Sequence, residues 1–532
     1  MIYIDKIVKD IGVRRLFEIK GLRIDEHDKI GLIGDNGIGK TTFLKVILGI
    51  DDEYEGRFET DGNIRHHFTK EKEIEFVDYS KANLRKGDRY SPGEMQRLLL
   101  TWILSDQEAF VVIDEPTSHL DFDRKEKLIE DLNDRKMGHL IISHDRDFVD
   151  RTCEIIFEIE GEALHVFNGN YAFYLEEKAR RNKFMTREYE GYVDEKQRLE
   201  GVASQIKDRA SRVTSAPKRM GNSEARLHKR GGQKNKKKLE KQVKAVRSRI
   251  DQLEVKEKPT EEIEIKLSMP DASKIHSKVL FRAKNLSKAF GEKLLFEKSE
   301  ITIENNRKTA LLGANASGKT TLLNMMLEGV DVWKHPNLKI GYYSQMTEII
   351  DVRKSILDNL MESSLYDQSM TRIILARLGF RRDDVYKLVE ILSDGERAKV
   401  KLAKLLTSDF NYLIFDEPTN YLDIRAIEAL ESLLSSYDRG FIFVTHDKRF
   451  IENIADSLLM IEDKRIKYFN GTLKEYENSK KGKMEDKMDE YLINFRLSSI
   501  NSRLSMEIPK DERESLEEEY LKLVEMRKSF NK

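Results

Sequence analysis

The sequence predicts an α/β protein built from two copies of one fold, joined by a long α-helical hairpin and closed by a helical C-terminal extension. Three observations carry that prediction: a set of motifs occurs twice in the same order, a charged helix-forming stretch separates the copies, and a second such stretch ends the chain. The repeat is the strongest of them. Gly34-Asp-Asn-Gly-Ile-Gly-Lys40-Thr41 returns as Gly313-Ala-Asn-Ala-Ser-Gly-Lys319-Thr320. Phe110-Val-Val-Ile-Asp114-Glu115-Pro-Thr returns as Tyr412-Leu-Ile-Phe-Asp416-Glu417-Pro-Thr, and Ile142-Ser-His144-Asp as Val444-Thr-His446-Asp. Lys319 lies 279 residues after Lys40, whereas Glu417 and His446 lie 302 after Glu115 and His144, so the second copy holds about 23 extra residues between its motifs. A repeat of this length is a duplicated domain, not a solenoid unit.

Composition fits two domains and more. A chain of 532 residues is too long for one domain, and 36% charged against 39% hydrophobic residues allows large cores inside a soluble surface. The N-terminus MIYIDKIVKD is charged almost at once and has no signal-peptide core. No stretch approaches the roughly 18–20 apolar residues that span a bilayer. A lone cysteine, Cys153, excludes an internal disulfide framework and is expected to be a small buried hydrophobe. The expectation is a cytoplasmic protein with no membrane partner.

The net charge of −1 hides an uneven distribution: residues 201–250 hold sixteen Lys and Arg against three Asp and Glu. Helix formers dominate from Glu176 to Lys258, and Pro217, Gly221, Gly231 and Gly232 interrupt them. Two helices are therefore predicted, over 171–213 and 234–256, joined by a basic turn. Residues 483–531 are again charged and helix-prone, with Pro509 at a bend. The domains drawn from these shifts are 1–174 (first copy), 175–258 (hairpin, tip near 212–234), 259–480 (second copy) and 481–532 (extension).

The motifs specify a chemistry. Gly34, Asn36, Gly37, Gly39, Lys40, Thr41 and Thr42 follow an apolar strand and open a helix, as do Gly313, Asn315, Ser317, Gly318, Lys319, Thr320 and Thr321. Glycines at this spacing let backbone N–H groups curl round phosphates, and the helix N-terminus adds a favourable dipole. Lys40 and Lys319 are placed to reach β- and γ-phosphates, and Thr41 and Thr320 to set a hydroxyl on Mg²⁺. Asp114 and Asp416 end buried strands and are expected to hold Mg²⁺. Glu115 and Glu417, one residue on, would polarise the attacking water. His144 and His446 follow strands at the same 302-residue offset and are expected to touch the γ-phosphate. The expected cofactors are ATP and Mg²⁺.

This motif order resembles the ATP-binding cassette ATPases. Their signature loop is matched by Ser91, Gly93 and Glu94, and by Ser393, Gly395 and Glu396. The resemblance implies head-to-tail pairing of the two cassettes within one monomer. One site would combine Lys40, Thr41, Asp114, Glu115 and His144 with Ser393 and Gly395; the other, Lys319, Thr320, Asp416, Glu417 and His446 with Ser91 and Gly93. Phe290 matches the adenine-stacking aromatic and Gln345 the glutamine beside Mg²⁺, where the first copy offers Ile11 and Thr69. Pro92 removes a backbone donor, and Asp394 is expected to bring a carboxylate near the γ-phosphate. The two sites are thus expected to be inequivalent, with the Lys40 site weaker or slower.

A fused, membrane-free pair with an inter-cassette linker is similar to the ABC-F proteins. That resemblance implies a bacterial ribosome as partner. Linker residues Arg212, Lys218, Arg219, Arg226, His228, Lys229, Arg230 and Lys234 would face large-subunit rRNA and P-site tRNA. The few residues between Thr69 and Ser91 leave no room for the arm typical of housekeeping members. The chain therefore resembles the antibiotic-resistance type, in particular the lincosamide, pleuromutilin and streptogramin A subgroup. In that type the linker enters from the tRNA exit site and displaces tRNA and drug. A housekeeping translation factor and the ATPase subunit of a membrane importer remain the alternatives.

Overall fold

The computed structural model describes residues 1–12, 14–68, 92–118, 120, 122–212, 222–256, 274–291, 293–344 and 346–480, with the backbone alone at 92–93, 212 and 222–234. The chain divides into two compact units, Met1–Asn168 with the stretch from Ile265 on, and Gly169–Glu264.

The first copy runs β1 (Ile2–Ile11), β2 (Arg14–Ile24), β3 (Lys29–Gly34), α1 (Lys40–Ile47), β4 (Glu55–Thr60), β5 (Ile64–His66) and α2 (Pro92–Ser105). It continues with β6 (Phe110–Asp114), α3 (Phe122–Asn133), β7 (His139–Ile142), α4 (Arg146–Thr152), β8 (Ile155–Glu160) and β9 (Ala163–Phe167). The strands form an antiparallel sheet, β2-β1-β4, and a six-stranded sheet, β5-β6-β7-β3-β8-β9, parallel except for its last strand. The inner strands β6 and β7 are buried apolar runs, as strands covered on both faces must be. Phe17, Phe43, Leu44 and Phe157 fill the core between the sheets, and Phe17 meets Phe43 edge to face at 5.8 Å.

The second unit is the hairpin of α5 (Tyr171–Arg212) and α6 (Asn222–Asp251), which pack against each other. Leu199, Ala203 and Ala210 are buried at helical spacing, so small and apolar residues line one seam of an otherwise charged helix. α6 begins twelve residues earlier than the sequence suggests and runs through Gly231 and Gly232. Each glycine costs a helix about 1 kcal/mol relative to alanine, which the flanking lysines, glutamines and leucines, all good helix formers, tolerate.

The second copy begins with β10 (Val279–Phe290), β11 (Lys293–Glu304), β12 (Lys308–Gly313), α7 (Lys319–Glu328), β13 (Trp333–Lys334) and β14 (Ile340–Tyr343). Then come α8 (Ile356–Met361), α9 (Gln368–Arg377), α10 (Asp394–Thr407), β15 (Tyr412–Asp416), α11 (Ile424–Ser435), β16 (Phe441–Val444), α12 (Lys448–Ile454), β17 (Ser457–Glu462) and β18 (Arg465–Phe469). The strand orders, β11-β10-β13 and β14-β15-β16-β12-β17-β18, reproduce those of the first copy. The extra residues of this copy fall between β14 and α10, where α8 and α9 bury Ile356, Leu360, Ile374 and Leu375 against α10 and α11. No described helix is long and apolar enough to cross a membrane.

Candidate functional site

In open α/β sheets ligands gather beyond the carboxyl ends of the parallel strands. Here β3, β6 and β7 release the phosphate loop, Asp114-Glu115 and the His144 turn side by side, and β12, β15 and β16 do the same in the second copy. Gly39 (φ 105°) and Gly318 (φ 105°) cap α1 and α7 in a left-handed conformation that glycine favours.

Each loop is closed on its own lysine. Lys40 Nζ donates to the carbonyls of Gly34 (2.7 Å) and Asp35 (3.1 Å), and Lys319 Nζ to those of Gly313 (2.7 Å) and Ala314 (3.1 Å). Burial lowers the Lys40 pKa, while Glu115, Asp423, Asp35 and Asp114 oppose the fall. Thr41 Oγ1 donates to Asp114 Oδ2 at 2.8 Å, and Thr320 Oγ1 to Asp416 Oδ2 at 2.9 Å. Among the described residues no cluster of three or more His, Cys, Asp or Glu could hold a metal alone. A hydroxyl and one carboxylate beside a phosphate loop suit Mg²⁺, which keeps several waters and shares phosphate oxygens with its protein ligands.

Glu115 (φ 49°) and Glu417 (φ 54°) adopt left-handed backbone, a strain characteristic of functional positions. Their amides donate to Ile142 O (2.8 Å) and Val444 O (3.0 Å), which locks the two turns to β7 and β16. Glu115 Oε1 stands 3.5 Å from His144 Nε2, and Glu417 Oε1 3.2 Å from His446 Nε2. Glu115 Oε1 and Glu417 Oε2 are shielded from solvent with no hydrogen-bond donor from the protein, as is Ser317 Oγ in the second phosphate loop. Such orphaned acceptors call for a ligand or water. Burial, then Asp114, pushes Glu115 up to about 8; burial likewise raises Glu417 to about 7 although Lys319 works against it. Burial depresses His144 to about 3.

The copies face each other across a cleft of about 1190 Å³. Asn36, Gly37, Glu115 and His144 line it from the first copy; Ser393, Gly395, Glu396 and Tyr421 line it from the second, with Asn315, Glu417 and His446 also reaching it. Asn36 Nδ2 donates to Tyr421 O at 2.8 Å. A Cβ on Gly395 would lie 2.7 Å from Tyr421 O of its own copy, which only glycine avoids, and 3.1 Å from Asn36 Nδ2 of the opposing loop. The Lys40 loop and the Ser393 signature are therefore brought together. A contiguous cavity of about 720 Å³ holds Lys40, Thr41, Thr42, Asp114 and Ile11, with His67 and Phe68 as walls.

The other pairing is described only on one side. Ser91, Gln345 and Thr69 lie outside the described residues, Gly93 is described as backbone only, and Glu94 pairs loosely with Arg97 at 3.9 Å. Pro92 is the first residue of α2, a position where a missing N–H is harmless to the helix. The side chains of Arg212, Arg226, His228, Lys229, Arg230 and Lys234, and all of Lys218 and Arg219, are likewise outside the description. Phe290 ends β10 as Ile11 ends β1; both are exposed, and Lys288 lies 5.6 Å above the Phe290 ring.

Asp394 corrects one expectation. Its side chain is 87% exposed, lies 3.9 Å from Arg397 of the same helix, and does not line the cleft. The reason is helix geometry: Ser393 caps α10, so Asp394 becomes its first residue and points away along the helix surface. Ser393 itself is engaged in a capping box with Glu396, its Oγ donating to Oε2 at 2.7 Å.

The sequence also conceals a cross-copy ion cluster. Arg425 on α11 bonds Asp35 of the phosphate loop (3.1 Å), Glu158 of β8 (3.3 Å) and Glu160. One signal was available: the position 302 residues earlier is Asp123, so the charge reverses between copies where the motifs around it do not.

Two family models, each described as ABC transporter, match the chain: one at residues 19–78 and 296–420, the other at 157–229. The chain is 32% identical over 466 residues to the erythromycin resistance ATP-binding protein MsrA of Staphylococcus epidermidis, covering 83% of this chain and 94% of that protein. It is 31% identical over 480 residues to the ribosome protection protein VmlR of Bacillus subtilis, covering 86% of each. Among solved structures it is similar in fold to an RNase-L Inhibitor, with a TM-score of 0.56 at 19% identity, over 88% of this chain and 90% of that one.

Proposed function

The chain belongs to the ABC-F family of ATPases, and from that membership we propose that it binds the bacterial ribosome and protects it from antibiotics of the peptidyl-transferase centre. The observation that carries the reading is the alignment with a ribosome protection protein across 86% of both chains, linker included. The linker's composition supports it, because clustered Lys and Arg neutralise phosphates of nucleic acid. α5 alone, 42 residues at about 1.5 Å each, reaches roughly 60 Å. The proposed path runs from the tRNA exit site, with the tip at 212–234 against large-subunit rRNA and the P-site tRNA. There it shifts the tRNA and the drug, and the protein works in the cytoplasm as a monomer.

In the proposed cycle Lys40 and Lys319 leave their loop carbonyls for the β- and γ-phosphates. Thr41 with Asp114, and Thr320 with Asp416 and Gln345, would hold Mg²⁺, which supplies charge neutralisation at the phosphates. Glu115 and Glu417 orient and polarise the attacking water, and His144 and His446 hold the γ-phosphate until it leaves. Ser393 gives up its bond to Glu396 when the opposite nucleotide arrives.

The test is a drug panel in a susceptible bacterium expressing the chain, including a lincosamide, a pleuromutilin, streptogramin A and erythromycin. Tolerance to the first three is expected. Shortening 214–233 should abolish it while ATP hydrolysis and ribosome binding persist. Growth defects without drug and no gain of tolerance with it would favour a housekeeping translation factor instead.

A further inference from the structure

The turns that follow the two candidate γ-phosphate histidines touch each other. His144-Asp145-Arg146 opens α4 and His446-Asp447-Lys448 opens α12. Arg146 crosses from the first cassette to the second. Its guanidinium donates to both carboxylate oxygens of Glu431 on α11, Nη1 lying 3.0 Å from Oε2, and Nη2 also donates to Asp447 Oδ2 at 3.2 Å. The three side chains are only 4%, 11% and 6% exposed. Asp447 also caps α12, accepting from Phe450 N at 3.0 Å. The arginine two residues after one histidine thus grips the residue next to the other. Beside it Arg449 pairs with Asp150 at 2.8 Å and ties α12 back to α4.

This link runs one way. The positions equivalent to Arg146 and Glu431 are Lys448 and Ile129. Lys448 forms its ion pair with Glu477 of its own cassette at 2.9 Å and meets the first copy at the Phe122 ring, 5.7 Å away; Ile129 is buried in its core, and Asp145 is held by Lys125 of its own copy at 2.6 Å. A buried, bidentate ion pair breaks only at high cost, because each partner left alone is an uncompensated charge. The contact joins the His446 turn to the His144 turn through buried side chains.

We propose that Arg146 is a positioning residue that couples the two ATP sites, making turnover at each depend on the state of the other. The proposal rests on Glu115 and Glu417 being the hydrolytic carboxylates. Its test uses the free full-length protein, without ribosomes. Steady-state ATP turnover is measured for wild type, Glu115→Gln, Glu417→Gln and the double variant. The set is repeated in an Arg146→Met/Glu431→Leu/Asp447→Asn background, which removes all three charges together and leaves no lone buried ion. With the native link, the two single-variant rates should sum to a value at least about threefold away from wild type, a coupling of about 0.7 kcal/mol. In the uncharged background they should sum to that background's own full rate. Sums that already match wild type with the link present, or a mismatch that survives in the uncharged background, would overturn the proposal. If that background fails to fold, Asp447→Asn alone keeps the helix cap and leaves Arg146 paired with Glu431, while removing the charge beside His446, and is expected to uncouple the sites in the same way. A double Glu→Gln protein that still hydrolyses ATP would overturn the catalytic assignment, an outcome separable from failed coupling.

Discussion

Glu115 and Glu417 show how the backbone sets the chemistry of a single residue. Each follows a strand-end aspartate on a left-handed turn, and each carries an oxygen without a protein donor. Burial, then Asp114, raises Glu115 from an ordinary 4.5 to about 8. A folded-state pKa raised above the unfolded one stabilises fully below about pH 4.5, and that contribution is lost as pH rises towards 8. Glu115→Gln, which never ionises, should therefore melt above wild type at pH 8 and close to it at pH 5, measured by calorimetry without nucleotide. The sites themselves should differ: Glu417→Gln is expected to remove more ATP hydrolysis than Glu115→Gln, and equal losses would end the proposed inequivalence. Exposure of Asp394 removes one ground for that proposal; the Ile11 and Phe290 difference still supports it. Cys153 is 3% exposed and its thiol is pushed up to about 12 by burial, so iodoacetamide should label it only after unfolding.

At the scale of elements, the phosphate loops and strand-end carboxylates were legible because local geometry dictates them. A glycine spacing that opens a helix, or a charged pair ending an apolar strand, admits few other readings. The start of α6 was not legible, because two glycines weaken a helix without ending it once a second helix packs alongside. The cross-copy contacts of Arg146 and Arg425 were hidden for a different reason: their partners lie hundreds of residues away and share no local motif. α11 carries much of this traffic, and its inward face makes it a firm support. Leu430, fully buried on that face, should cost about 2–5 kcal/mol when replaced by alanine, read as a lowered urea midpoint.

At the scale of the molecule, two halves of the same strand order line a cleft, and among the described residues the second half carries the fuller helical layer. The cleft brings the Lys40 loop against the Ser393 signature, the arrangement an ATP-dependent clamp requires. The hydrolysis step is proposed to release that clamp from the ribosome. Blocking it at both sites should therefore trap the protein in its bound state. The decisive measurement is sedimentation of the Glu115→Gln/Glu417→Gln protein with purified bacterial ribosomes in ATP, with ADP as control. The account predicts that it pellets with ribosomes in ATP and stays free in ADP; a protein that remains in the supernatant with both nucleotides would contradict it.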